Sequence, residues 1–160
     1  MRKQKGFSLI ELLIVVAIIL IIAAIAIPNL LRAKISANEA SAVGSTRTLV
    51  TAQISYNTSY PTTGFANAIS NLGTGGSATV CGTPSSSAAC LIDPLLATGT
   101  KSGYTFATQQ SGANTAFWIT ANPVTQGTTG VRTFCAVTDG VVRYNMSSES
   151  SCAGTETPLQ

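Results

Sequence analysis

Leu12 to Ile27 is an unbroken run of 16 apolar residues, and no other feature of this 160-residue chain narrows its possible folds so much. Taken from Phe7, the segment to Ile27 is 21 residues long. As a helix rising about 1.5 Å per residue it spans roughly 30 Å, the thickness of a bilayer's hydrocarbon core. The last hundred residues are instead rich in Ser, Thr, Gly and Asn. Two regions suited to different solvents are implied, and the polar one is long enough for one domain of ordinary size. A cleaved secretory signal is the alternative, and Ala23-Ala24 or Ala24-x-Ala26 could serve as its small-residue cleavage site. Such signals usually have about 7 to 15 apolar residues, whereas this run continues into a further helical pattern, so retention is expected.

The formal charge of +3 does not describe a basic protein once its positions are read. Arg2, Lys3 and Lys5 precede the apolar run. The other six cations, Arg32, Lys34, Arg47, Lys101, Arg132 and Arg143, balance Glu11, Glu39, Asp93, Asp139, Glu149 and Glu156. The basic leader favours a cytoplasmic N-terminus with the polar domain outside, although Arg32 and Lys34 flank the other end. Without its first six residues the chain is neutral, which gives no support to nucleic-acid binding.

Cys81, Cys90, Cys135 and Cys152 all fall in the polar part, and the chain contains no histidine. An even cysteine count in an exported domain favours two disulfides. A zinc site is the alternative, but neither pair has C-x-x-C spacing and no His can complete a mixed site. Four cysteines permit three connectivities, among which neighbour pairing, Cys81 with Cys90 and Cys135 with Cys152, is preferred.

Glu11 interrupts the apolar segment near its start. An ionised carboxylate costs about 2.5 to 3.5 kcal/mol near a bilayer centre on insertion scales, so such residues usually have a function and a partner. Alternatively, Glu11 lies close enough to the end to reach the headgroups, where an acid in the first helical turn suits the helix dipole. The stretch "KGFSLIELLIVVAIILIIAAIAIPNLL" resembles the N-terminus of a type IV prepilin. It has a short basic leader ending in Gly6, Phe7 next, Glu11 as the fifth residue after the cut and Pro28 as the twenty-second. The resemblance covers about the first 55 residues closely and the remainder only in general plan.

That resemblance implies cleavage between Gly6 and Phe7 by a prepilin peptidase, which then methylates the Phe7 amine. Gly6 offers no side-chain obstacle to an extended backbone in the peptidase. It also implies a partner for Glu11, the charged Phe7 amine of a neighbouring subunit, a pairing that can fix register even with little net stability. The organisation expected is a leader at 1–6, a membrane and filament-core helix at 7–28, an amphipathic helix at 29–60 and a head at 61–160. Identical subunits, membrane lipid before assembly and an inner-membrane assembly machinery are the implied partners. No cofactor or metal is implied.

Pro28 lacks the N–H that would bond the Ala24 carbonyl, so a kink or a locally melted stretch is expected around Ala24 to Pro28. The alternative is that the spanning helix ends there. Leu31, Ile35, Ala42, Val43, Leu49, Val50 and Ile54 recur at roughly helical spacing, which carries the helix to about Tyr56, with Gly44 a weak point. Arg32, Lys34, Glu39 and Arg47 form its polar face, and "SYPTTG" (59 to 64) ends it.

A short helix is expected in "FANAISNLG" (65 to 73), followed by a loop closed by Cys81 and Cys90. Strand-like runs follow in "YTFAT", "AFWITA", "TFCAVT" and "VVRYN", the last two separated by the hairpin signal Asp139-Gly140. The fold class expected is α+β, a long N-terminal helix on a small antiparallel sheet of about four strands. The aromatics Tyr104, Phe106, Phe117, Trp118, Phe134 and Tyr144 are expected in its core. By the resemblance, Cys135 and Cys152 close a C-terminal loop.

Without histidine, neither a Ser-His-Asp nor a Cys-His arrangement can be assembled. Asp139 is explained by its turn, Lys101-Ser102 reads as loop, and "GTGG" (73 to 76) lacks the lysine of a phosphate loop. The expectation is a structural subunit of an extracellular pilus used for attachment or surface motility. A type II secretion pseudopilin is the nearest alternative, with a minor pilin and a membrane-anchored enzyme or receptor behind it. By resemblance, the major pseudopilin carries a calcium site and commonly lacks disulfides. A calcium site needs several carboxylates, and the head has four cysteines against Asp93, Asp139, Glu149 and Glu156, which favours the pilin.

Overall fold

The computed structural model describes residues 7–75 and 81–159, so Gly6 and the rest of the expected leader lie outside the described residues. The chain divides into two compact units, one ending at Lys34 and one starting at Ile35. The elements in order are α1 (Leu9–Ser59), α2 (Ile69–Leu72), α3 (Pro94–Ala97), β1 (Thr100–Lys101), β2 (Tyr104–Ser111), β3 (Ala116–Pro123), β4 (Thr133–Val137), β5 (Val142–Asn145) and β6 (Thr157–Pro158).

α1 is helical without interruption through Pro28 and Gly44, so the melted stretch expected near Ala24 is absent. Its inward face in the second unit is Ala42, Thr46, Leu49, Gln53 and Tyr56, which recur every three or four residues. Two of the residues expected on that face do not belong to it. Ile54 sits five residues past Leu49, about 140° around the helix at 100° per residue, and is exposed; so is Leu31. Glu39, expected on the polar face, is buried.

The sheet is an antiparallel meander of six strands in sequence order, two more than expected. The extra pair, β1 and β6, are two-residue edge strands. β1 turns into β2 through Ser102 and Gly103, both in the left-handed region. β4 and β5 are joined at Asp139-Gly140 as the sequence indicates, with the Gly140 N–H donating to the Val137 carbonyl at 2.9 Å.

One face of the sheet supplies Tyr104, Phe106, Phe117, Ile119, Ala121, Phe134 and Ala136 to a core shared with Ala42, Leu49 and Tyr56 of α1. Phe65 and Phe117 stack at 4.8 Å between centroids. Because strand side chains alternate, Trp118 falls on the face opposite Phe117; it is half-buried and outside that core. Tyr144 is only partly buried against it. The Tyr104 ring lies against Gly130, where a Cβ would sit 2.0 Å from the Tyr104 hydroxyl, so this position has no room for a side chain.

Disulfides join Cys81 to Cys90 and Cys135 to Cys152. The second reaches from the outward side of β4 to the C-terminal segment, and both of its cysteines are buried. Asn122 fixes the same segment from β3. Its amide donates to the Glu149 carbonyl at 2.8 Å and accepts the Glu149 N–H at 2.9 Å.

Candidate functional site

From Leu9 to Leu30 every residue of α1 is exposed except Ala23, which is half-buried. An 18-residue stretch of the helix has a mean hydropathy of 3.3, and the helix is long and apolar enough to cross a membrane. Apolar side chains left uncovered over six turns require either lipid or other protein around them. Glu11 is the one charged residue between Phe7 and Leu31.

Glu11 has a local partner that the sequence analysis overlooked. Ser8 immediately precedes α1 and Glu11 is three residues on, the spacing of a capping box. The Ser8 backbone N–H donates to Glu11 Oε2 at 2.9 Å, and the Leu12 N–H reaches the Ser8 carbonyl at 3.3 Å. The acid therefore satisfies one of the N–H groups that every helix start leaves open, and it sits at the favourable end of the dipole. The signal was legible as Ser8-x-x-Glu11. Phe7 stands just ahead of the helix, exposed. The structure thus brings Phe7, Ser8 and Glu11 into one helix start, while Pro28 lies far along α1 and the four cysteines belong to the other unit.

In that second unit, α1 is fastened to the loop before β4 by a charge cluster. Glu39 Oε1 accepts the N–H groups of Val131 (2.9 Å) and Arg132 (3.0 Å), and Oε2 takes Arg132 Nε (2.8 Å) and Nη2 (2.7 Å). Burial by itself opposes the charge of Glu39. The two backbone donors and the Arg132 guanidinium outweigh it and hold the carboxyl below the ordinary carboxylate range. The Arg132 guanidinium also lies 5.6 Å from the ring centres of Phe134 and Tyr144. Beside it, Asn38 Nδ2 donates to the Thr129 carbonyl at 2.8 Å.

About four turns further on, Gln53 is fully buried and clamps the segment after the helix. It accepts the Ala66 N–H at 2.8 Å, and its amide donates to the Ala66 carbonyl at 3.0 Å and to Thr108 Oγ1 at 2.8 Å. Asp93 caps α3 through the Leu96 N–H and pairs with Lys101 at 3.1 Å. Asp139 does more than form a turn, since it also pairs with Arg143 at 2.5 Å. Among the described residues Cys135, Cys152 and Glu156 bring three metal-ligand-type atoms together, but the two sulfurs are joined to each other.

A membrane-length apolar helix with a capped acid in its first turn, continued by a disulfide-bonded α+β unit, is the architecture of a pilin-like protein. Residues 1–27 match the family model of the prokaryotic N-terminal methylation motif. The chain is 67% identical over 39 residues to the type IV wide pilus major component PilA4 of Thermus thermophilus, covering 24% of this chain and 30% of that one. It is 48% identical over 54 residues to the type IV major pilin protein PilA of Myxococcus xanthus, covering 34% and 24%. Similarity to the type II secretion system core protein G of Vibrio cholerae is 44% over 66 residues, covering 39% and 45%. The chain thus spans less than half the length of each of these relatives. No solved structure matches it.

Proposed function

We propose that this chain is a structural subunit of a type IV pilus. Its helix is held in the inner membrane, N-terminus in the cytoplasm, and then packs with copies of itself into the core of an extracellular filament. The single observation that carries this reading is an uncovered apolar helix bearing one acid, Glu11, at its start. Residues 7–28 supply the membrane and filament-core part, 29–60 the amphipathic continuation, and 61–160 the head. A prepilin peptidase cuts after Gly6 and methylates Phe7, exposing an amine four residues from Glu11. The amine of one subunit meets the Glu11 carboxylate of the next, each charge making the other tolerable in an apolar bundle. Pro28 gives the helix a kink, through the missing bond to Ala24. An assembly machinery in the inner membrane supplies the work, and the filament serves attachment or surface motility.

A fibre of a type II secretion system is the second reading. It is favoured by the match to core protein G, which extends over more of this chain than either pilin match. Electron microscopy of sheared surface filaments, with mass spectrometry of their subunit, separates the two. Long fibres of a chain starting at methylated Phe7 are expected; recovery from the cell envelope alone selects the second reading. A Glu11→Ala chain is expected to be cut and inserted normally yet to assemble poorly, and a wild-type filament yield from it would refute the pairing.

A further inference from the structure

In the unit that starts at Ile35, ion pairing leaves a residue of complementary charge. Lys101, Arg132 and Arg143 are each paired, with Asp93, Glu39 and Asp139. Arg47 is the remaining cation of that unit. It is exposed and pairs with no acid among the described residues. The remaining acids are Glu149, inside the loop closed by Cys135–Cys152, and Glu156, four residues beyond it.

Arg47 lies on an uncovered stripe of α1, formed by Ala40, Gly44, Arg47, Thr51, Ile54 and Thr58, all exposed. Their spacing alternates between four and three residues, which keeps them within about 40° of one line along the helix. Small side chains flank the arginine, and no atom lies within 4 Å of a Cβ added at Gly44. A facing surface can therefore approach the helix closely around one protruding guanidinium.

Glu149 is built to receive such a group. Its backbone is held in both directions by Asn122, and one carboxylate oxygen accepts the Asn145 amide, leaving the other without a donor among the described residues. With Ser148, Ser150 and Glu156 it lines a surface hollow that holds no cationic side chain. Glu156 is committed within its own loop, accepting the Ala153 N–H at 2.8 Å.

We propose that the exposed stripe of α1 between Ala40 and Thr58 docks a second copy of this chain, with Arg47 of one subunit received by Glu149 of its neighbour. The inference rests on the pilus reading and names a contact within that assembly. Planar guanidinium suits carboxylate geometry, and charge matching of this kind sets register and rejects wrong partners.

The test is filament yield from full-length chains in the producing cell, with membrane level and disulfide mapping as folding controls. Arg47→Glu and Glu149→Arg are each expected to lower the yield about tenfold, because juxtaposed like charges are strongly unfavourable. Their combination is expected to restore most of it. Glu149→Gln, which keeps the Asn145 contact, covers the case in which the arginine disturbs the loop; it is expected to give a smaller loss, and one that narrows as salt screens the wild-type pair. Single reversals that assemble at wild-type yield overturn the pairing. So does a double variant no better than the worse single, which would assign the stripe to lipid or another protein. Absence of any filament from the wild type would overturn the pilus reading itself, a result distinct from these.

Discussion

Replacing Glu39 by Gln tests whether the cluster at the β4 loop fastens α1 to the sheet. A glutamine keeps the shape and can keep accepting from the Val131 and Arg132 N–H groups. Its amide then faces Arg132 Nε and Nη2, donor against donor, so two charge-assisted bonds at 2.8 and 2.7 Å are lost. The Arg132 side chain is 38% exposed and can rehydrate, whereas Glu39 is 8% exposed and cannot. Discounted for that, the loss is about 2 to 3 kcal/mol. Glu39→Ala also strands the two N–H groups, which raises the loss to about 3 to 5 kcal/mol. Denaturation of the full chain in detergent, followed by the fluorescence of Trp118, the single tryptophan, measures both. The pH dependence gives a second reading. Glu39 is held below its ordinary value of 4.5, so the unfolded chain binds the proton more readily. The stabilisation is therefore present above that value and is lost as pH falls through the folded one. Asp93, Asp139 and Glu156 are lowered too, so the Gln variant should keep part of the acid sensitivity and lose the share due to Glu39. A Gln variant within about 0.5 kcal/mol of wild type, the range of an ordinary surface change, would refute the reasoning.

Gln53→Leu is expected to cost about 2 to 4 kcal/mol, since it leaves the buried N–H and carbonyl of Ala66 unmatched and takes one donor from the Thr108 hydroxyl, which keeps its own bond to the Trp118 carbonyl; hydrogen exchange at Ala66 should rise with it. Under mild reductant the bridge between exposed Cys81 and half-buried Cys90 should open before Cys135–Cys152, whose two residues are buried, as alkylation and mass mapping would show. Loss of the second bridge should destabilise the chain by about 3 kcal/mol on the loop-entropy account.

How much of this was legible in the sequence depended on the range of the interaction. The apolar run, the four inner strands and the Asp139-Gly140 turn are local patterns, and they appear where the spacing puts them. β1 and β6 are two residues each, too short to show alternation, and exist because a neighbouring strand offers a ladder. α3 is a single turn whose signal, Asp93 before Pro94, fits a helix start that the strand and cysteine patterns around it do not point to. Glu39 was assigned to the polar face because charge alone suggested it. Its partners lie 92 and 93 residues away, and no local pattern encodes such a distance. Trp118 was grouped with its aromatic neighbours, although adjacent residues of a strand must face opposite ways. At the helix start the acid was noticed and its serine was not, even though Ser8-x-x-Glu11 is a short-range motif.

A carboxylate has two oxygens, and the Ser8 N–H takes only one of those on Glu11. Among the described residues the acid is thus half-satisfied, still short of one donor, in the state proposed for the subunit in lipid. Copies of the chain stored side by side would each have a vacancy of the same shape. On the proposed cut after Gly6, what fills it would be selected by reach and charge, and the Phe7 amine of a neighbouring copy would need no separate adaptor.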